Sequence, residues 1–116
     1  MGVDAKVCGL TRPADAALAV RLGASYLGVV LAESPRQVGT AAVRDIVAAS
    51  DGVPVIGVFV DVSVDEILRQ RDRAGLAGAQ LHGEYASAVR ERLSREELQV
   101  WSVLRVAREQ DLERLA

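Results

Sequence analysis

The first residue that could do chemistry is a lone cysteine at the end of a short apolar stretch. Cys8 follows the predicted strand Ala5–Val7 and precedes a turn that contains Gly9, and Pro13 then fixes φ for the first turn of a helix. In barrels of alternating strands and helices, active sites form at the rim where the strands end. The position makes Cys8 a candidate catalytic residue. The alternative for a single cysteine is a small buried hydrophobe.

Three further polar residues follow the ends of later predicted strands. Arg36 lies in the loop after the second strand and could bind an anion, although a solvated surface charge is the alternative. Asp61 follows the third strand and could contact a substrate or could simply start a turn. His82 follows the fourth strand; it would titrate near neutral pH if it faced a substrate, or it is structural. The sequence offers no further ligands beside His82, so we expect no metal site.

These residues would be positioned by alternating strands and helices. Apolar runs predict five strands, and amphipathic segments predict a helix after each of them. The strands are expected at Ala5–Val7, Tyr26–Leu31, Val55–Val60, Gly78–Leu81 and Gln99–Val106, and the helices at Pro13–Gly23, Ala41–Ala49, Val64–Gly75, Tyr85–Leu93 and Arg108–Ala116. Strands joined by crossover helices are parallel, so the fold class is α/β, in one domain over residues 1–116.

Local signals predict how the helices begin and which faces they bury. Leu18 and Leu22 are expected on the apolar face of the first helix, and Thr40 is expected to cap the second. Ser63 and Glu66 have the spacing of a capping box, in which each side chain accepts a hydrogen bond from a backbone N–H of the other residue.

Composition excludes several classes of function. Half of the residues are apolar, and 14 basic and 16 acidic residues are interspersed to give a net charge of −2. This balance offers neither a basic footprint for nucleic acid nor a polybasic patch for a membrane, and no apolar run reaches spanning length. One cysteine cannot form an internal disulfide, and no signal peptide opens the chain, so we expect a cytoplasmic protein that acts on a small molecule.

Four motifs in order along the chain carry a resemblance to a known family. They are KVCGLT at Lys6–Thr11, SPR at Ser34–Arg36, GVFVD at Gly57–Asp61 and QLHGE at Gln80–Glu84. Each lies at or just beyond the C-terminal end of a predicted strand, which is the structural context that such a motif match requires. On these motifs the chain resembles the phosphoribosylanthranilate isomerases of tryptophan biosynthesis.

The resemblance implies part of a larger fold. Members of the family look like complete eight-stranded TIM barrels of about 200 residues, whereas this chain would supply about five βα units. The family's general-acid aspartate, expected after strand six, and its phosphate-binding segments, expected after strands seven and eight, would lie beyond Ala116. Asp111 is not a substitute, because it falls in the fifth predicted helix and away from any strand end.

The resemblance also implies a reaction and roles for residues. The family catalyses an Amadori rearrangement, in which the ribose ring of N-(5-phosphoribosyl)anthranilate opens and an aminoaldose becomes an aminoketose. By this resemblance Cys8 matches the catalytic base and Arg36 matches the anchor for the anthranilate carboxylate. Asp61 and His82 are further substrate-binding candidates. No cofactor is implied.

Alternative readings come from other classes. The isolated chain could be an inactive half-barrel fragment whose chemistry belongs to an intact parent. It could instead be a binding or assembly module that pairs its open strand edges with a partner or a second copy. A different sugar-phosphate enzyme on the same fold is a third alternative, since the fold alone does not choose a reaction. On the first two readings we expect self-association, or a missing C-terminal half, and no turnover by this chain alone.

Overall fold

The computed structural model describes residues 4–31, 37–82 and 87–102. Over these ranges, strands and helices alternate along the chain, as the hydrophobic pattern predicts. The elements are β1 (Lys6–Val7), α1 (Pro13–Arg21), β2 (Tyr26–Val30), α2 (Thr40–Ala49), β3 (Val55–Val60), α3 (Val64–Ala74), β4 (Gly78–His82), α4 (Ser87–Arg95) and β5 (Gln99–Ser102). None of the helices described is long and apolar enough to cross a membrane.

The five strands form one sheet in the order β1-β2-β3-β4-β5, and every neighbouring pair is parallel. Leu27 is in register with Val55 on the next strand, and Val60 is in register with His82. This arrangement confirms the α/β prediction of a continuous layer of βα units. Because every neighbouring pair is parallel, all of the C-terminal ends of the strands lie along one edge of the sheet.

One face of the sheet packs against the helices and forms the hydrophobic core. Successive side chains of a strand point to opposite faces, so alternate residues of each strand contribute to this face. The core joins Leu27 and Val29 of β2, Val55 and Phe59 of β3, and Ala79 and Leu81 of β4 to Ala16 and Ala19 of α1, Val43 and Ile46 of α2, Ile67 and Ala74 of α3, and Leu93 of α4. We call this the helix face of the sheet.

The other face, which we call the inner face, carries the intervening residues. Ile56 and Val58 are buried there, although they do not belong to the core formed with the helices. The inner face also carries polar side chains at Lys6 and Gln80, which contact each other. Apolar packing therefore dominates the helix face, whereas the inner face combines apolar and polar residues.

The first helix packs through a different stripe from the one predicted. Ala16 and Ala19 are buried, whereas Leu18 is 46% exposed and Leu22 is 78% exposed. The two leucines instead line a groove with Val7 beside β1, on the side where β1 pairs with no other strand among the residues described. The assignment of Leu18 and Leu22 to the packed face was wrong, because the stripe of α1 that packs on the sheet is formed by the small residues Ala16 and Ala19.

The two glycines at which helices were predicted to end, Gly23 and Gly75, both have a left-handed backbone. Gly23 has φ 95°, and its N–H donates to the carbonyl of Val20 while the N–H of Ala24 donates to that of Ala19. Gly75 has φ 83° at the end of α3. Both glycines occupy a backbone conformation that a Cβ would strain, and each ends a helix shortly before the next strand.

The helix starts agree with the predictions only in part. Gly39 is the N-cap of α2, while Thr40 lies inside the helix and its hydroxyl donates to Gln70 Oε1 at 2.8 Å. Ser63 caps α3 as predicted, by accepting from the N–H of Glu66 at 3.2 Å. The reciprocal half of the capping box is replaced, because the Glu66 carboxylate accepts from Arg69 and Gln70.

The predicted elements after α3 are described only in part. The fourth strand is one residue longer than predicted and includes His82. The fourth helix is described from Ser87 and continues to Arg95, while its predicted start at Tyr85 lies outside the described residues. The fifth strand is described to Ser102, and its predicted remainder and the fifth helix lie outside the described residues.

The Ser63 cap provides a test of this local structure. Replacing Ser63 by Ala removes the side-chain acceptor for the N–H of Glu66, so we expect the free energy of unfolding to fall by about 1 kcal/mol. Ser63→Asp retains an acceptor at the same position and should leave stability close to that of the parent. Urea denaturation of the three proteins measures both effects, and equal losses in the two variants would contradict this assignment.

Candidate functional site at the C-terminal edge of the sheet

The C-terminal edge of the sheet brings together three of the four candidate residues. Cys8 directly follows β1, Asp61 directly follows β3, and His82 is the last residue of β4. Because the strands are parallel, these positions share one edge, as the sequence predicts. Arg36 lies outside the described residues, so its place relative to the other three stays a prediction.

Cys8 lies against the backbone of the neighbouring strand, at a position without a side chain. The thiol is free and exposed, which excludes the alternative of a buried small hydrophobe. A Cβ built on Gly28 would stand 2.7 Å from Cys8 Sγ and 3.0 Å from Lys6 Cε. Cys8 and Lys6 therefore share the inner face with Gly28, and both side chains flank the same point on β2.

Lys6 connects the first strand to the last two. Its ammonium donates a hydrogen bond to Gln80 Oε1 on β4 and lies 5.0 Å from the ring centroid of Trp101 on β5. Partial burial lowers the pKa of Lys6 from its ordinary value of 10.5, and the charge of the Cys8 thiolate opposes that shift. The Lys6 ammonium therefore lies close enough to Cys8 to interact with its charge.

Two aromatic residues complete this inner-face cluster. The rings of Tyr26 and Trp101 meet edge to face with their centroids 5.0 Å apart. The sequence motifs include neither aromatic residue, and Lys6 appears there only as part of KVCGLT. Alternation along β1 places Lys6 on the same face as Cys8, two residues away, and this signal could have identified it. Contact with Trp101 depends on the curvature of the sheet, which the sequence pattern does not specify.

Asp61 has a structural reason to be an aspartate, independent of any substrate. Its φ is 52°, a left-handed conformation that aspartate tolerates better than most residues with a side chain. The Asp61 side chain is exposed and forms no hydrogen bond or ion pair with the residues that the structure describes. The backbone therefore bends at the end of β3, and the carboxylate is free to meet a ligand.

His82 is exposed at the end of β4, beside the end of β3. Its backbone is in register with Val60, whose side chain is also partly exposed. By alternation, His82 lies on the same face as Gln80, which contacts Lys6. Within the described ranges, no three His, Cys, Asp or Glu side chains cluster in a way that could hold a metal ion.

The site that contains Cys8 and Lys6 can accept a proton from a small molecule. An exposed thiol next to an ammonium group can act as a thiolate base, and an open edge of parallel strands gives a substrate access to it. Parallel strands with helices on one face and polar residues at the carboxyl ends define an enzyme domain of the β/α-barrel class.

Comparison with known proteins gives the family. Residues 5–116 match the family model described as N-(5'-phosphoribosyl)anthranilate isomerase, and the chain belongs to that family. The N-(5'-phosphoribosyl)anthranilate isomerase of Geobacter sp. (strain M21) is 45% identical over 94 residues, which cover 76% of this chain and 46% of the relative. The chain thus spans about half the length of the curated relatives that it matches.

Solved structures of the family share the fold. Monomers generated from the dimeric phosphoribosylanthranilate isomerase of Thermotoga maritima superpose with a TM-score of 0.90 at 33% identity, over 97% of this chain and 59% of that chain. An isomerase in complex with reduced 1-(o-carboxyphenylamino)-1-deoxyribulose 5-phosphate gives a TM-score of 0.91 at 29% identity, over 98% and 59%. The described strands and helices therefore correspond to consecutive βα units of a TIM barrel.

The burial of Lys6 predicts a pH dependence of stability. Because its pKa is lower in the folded chain than in the unfolded chain, the unfolded chain binds more protons between the lowered value and 10.5, and stability rises with pH in that window. The test compares a Cys8→Ser chain with a Cys8→Ser, Lys6→Met chain. We expect the difference between their free energies of unfolding, the first minus the second, to increase as the pH approaches 10.5.

The Cys8→Ser background removes the thiolate, whose charge would oppose the shift. Denaturant titrations at a series of pH values give the difference directly. At pH values below the lowered pKa, Lys6 is protonated in both states and the difference should be constant. A difference that falls as the pH rises toward 10.5 would contradict the burial of the ammonium.

Proposed function

We propose that this chain forms the part of a phosphoribosylanthranilate isomerase that carries the catalytic base, and that residues 1–116 are a single N-terminal barrel segment. The observation that carries the proposal is the exposed thiol of Cys8 at the rim, beside the bare backbone of Gly28, which the Lys6 side chain also approaches. The substrate is N-(5'-phosphoribosyl)anthranilate, and the product is the aminoketose 1-(2-carboxyphenylamino)-1-deoxyribulose 5-phosphate.

The reaction needs one acid and one base. An acid protonates the ring oxygen of the ribose, the ring opens, and the nitrogen lone pair forms an iminium with C1 of the sugar. The positive iminium acidifies the proton on C2, and the thiolate of Cys8 removes it. The resulting enolamine takes up a proton at C1 and loses the proton of its C2 hydroxyl, which gives the ketone. No atom is gained or lost, which is the balance required of an isomerisation.

The position of Lys6 supports the role of Cys8 as base. Only the thiolate can accept the proton, and the Lys6 ammonium supplies positive charge near the sulfur. Gln80 on β4 accepts a hydrogen bond from the Lys6 ammonium, and Trp101 on β5 makes a cation–π contact with it. These two contacts restrain the ammonium. Its charge is therefore available to Cys8 without the entropy cost of ordering a free lysine when the substrate binds.

Substrate binding is assigned to the remaining rim residues. Arg36 would bind the anthranilate carboxylate through two parallel hydrogen bonds, which suits a planar guanidinium. His82 and Asp61 would contact the sugar or the leaving oxygen from the ends of β4 and β3. Their exposure and the absence of side-chain partners among the described residues support these assignments.

A test of this function joins the chain to the part of a relative that the match does not cover. We expect the 116-residue chain assayed by itself to show no measurable turnover, because the resemblance places the acid and the phosphate-binding segments outside it. A chimera that continues from this chain into the remaining part of the Geobacter sp. isomerase should turn over phosphoribosylanthranilate. The assay follows consumption of the fluorescent substrate.

Variants of the chimera separate the roles. Cys8→Ser should lower kcat by about 10²-fold to 10⁴-fold, the usual contribution of a positioned base, while Arg36→Lys should mainly raise KM. Asp61→Asn keeps a residue that tolerates left-handed φ, so a loss of activity in this variant would identify a substrate contact. Full activity of the Cys8→Ser chimera would refute the proposal.

We also propose that the chain self-associates through the groove beside β1. Leu18, Leu22 and Val7 are large apolar side chains that are between 39% and 78% exposed there, and contiguous exposed apolar surface favours association. The relative from Thermotoga maritima is named as dimeric, which supports a second copy as the partner. This is the specific observation that favours an assembly role in addition to catalysis.

Sedimentation measures this association. At micromolar concentration, we expect the parent chain to sediment as a dimer or larger, and the Leu18→Glu, Leu22→Glu variant to shift toward the monomer, because two charges in the groove oppose apolar contact. Ala41→Glu adds charge at an exposed position of α2 and serves as the control, with no expected shift. A monomeric parent chain, or an equal shift in both variants, would contradict the proposed surface.

A reducing compartment, the cytoplasm, is the location that suits this chemistry. Cys8 is free and exposed, and the proposed mechanism requires it as a thiolate. An exposed thiolate in an oxidising compartment would be lost to disulfide formation or further oxidation.

A further inference from the structure

We propose that Gly28 is a positioning residue for Cys8, because the absence of a side chain at this position provides the space that the thiol occupies on the inner face. The inference rests on the proposed function for its catalytic consequence alone. Its structural content concerns where the sulfur lies and how it reacts, and both can be measured without turnover.

The geometry around Gly28 leaves no room for a methyl group. A Cβ on Gly28 would stand 2.7 Å from Cys8 Sγ, 3.0 Å from Lys6 Cε and 3.2 Å from Cys8 Cα. A real Cβ does not approach a sulfur this closely, so even alanine must displace the thiol. The contact with the Cys8 backbone adds to the conflict, because backbone atoms yield less easily than the end of a side chain.

The strand that carries Gly28 cannot move away to relieve the conflict. Gly28 is in register with Ile56 on β3, and its carbonyl accepts a hydrogen bond from the N–H of Leu10 at 3.1 Å on the other side. It therefore lies between two neighbours in the sheet. Its φ is not in the left-handed region, since only Gly9, Gly23, Gly52 and Gly75 among the described glycines have positive φ. Glycine is thus needed here for space and not for backbone conformation.

The opposite wall of this space is formed by Lys6, which is itself restrained. Gln80 accepts a hydrogen bond from its ammonium, and the Trp101 ring lies beneath the charge. A side chain on Gly28 would therefore push the thiol out of its place beside the Lys6 side chain. Since a misplacement of about 1 Å can cost about 10²-fold in rate, the consequence for a base at this position is large.

The chain offers a matched control for the steric argument. A Cβ on Gly57 of β3 would meet Leu76 at 2.8 Å, Phe59 at 3.0 Å and Leu31 at 3.1 Å. The crowding is comparable to that at Gly28, but it falls on the helix face, away from Cys8. Gly57→Ala therefore reports the cost of overfilling the sheet without touching the thiol.

The test measures the rate at which iodoacetamide alkylates Cys8 in the 116-residue chain as a function of pH. We expect Gly28→Ala to react with a rate and a pH profile that differ from those of the parent chain, by at least about fivefold in rate near neutral pH, because the thiol is displaced from its place beside position 28. Gly57→Ala should retain the rate and profile of the parent chain. Equal rates and profiles for the two variants would overturn the proposal.

A double-mutant cycle covers the case in which Gly28→Ala is too unstable for alkylation. Removing the sulfur with Cys8→Ala should reduce the loss of the urea midpoint caused by Gly28→Ala, and should leave the loss caused by Gly57→Ala unchanged. Recovery of folding in the Cys8→Ala, Gly28→Ala chain supports the proposal, whereas equal losses with and without the sulfur overturn it.

In the chimera, Gly28→Ala should lower kcat more than it raises KM. An inactive chimera would refute the proposed function. The alkylation and stability measurements would still test the role of Gly28, because they do not depend on turnover.

Discussion

The packing of every described helix on one face of a parallel sheet is the constraint on which the rest of the structure depends. Each βα unit buries its strand against its helix, and the fully buried residues Leu27, Ile46, Ile67, Leu81 and Leu93 lie in the core formed in this way. Each contributes about 1.5–3 kcal/mol of hydrophobic free energy. Because stability comes from the helix face, the inner face is free to carry polar residues.

The inner face is organised by contacts that are individually weaker. An ammonium over an indole contributes about 0.5–2 kcal/mol, and a net hydrogen bond contributes about 1 kcal/mol. Lys6 makes one contact of each kind, to Trp101 and to Gln80. These contacts join β1 to β4 and β5 across the inner face. The helix face supplies most of the free energy of folding. The main consequence of the inner-face contacts is therefore that they place a charge next to Cys8.

The side chains at the C-terminal edge of the sheet are held by the strands and are also accessible to a substrate. Cys8 is exposed but rests on the backbone of Gly28, while Asp61 and His82 are exposed at the ends of adjacent strands. Parallel pairing supplies this arrangement without any direct contact between the three side chains. Such an edge suits the proposed reaction, in which a base and substrate-binding groups come from separate strands of a barrel.

The sequence by itself determined the order of the elements, the parallel sheet and the strand ends at which Cys8, Asp61 and His82 lie. These features follow from local signals: apolar runs long enough for a strand, Gly23 and Gly75 at helix ends, and Ser63 at a helix start. The tertiary structure alone decided which stripe of α1 is buried. It also decided that Gln80 and Trp101 hold Lys6, and that Gly28 makes room for a thiol. Those features depend on distances between residues far apart in the chain, which arise only when the sheet curves and its strands come into register.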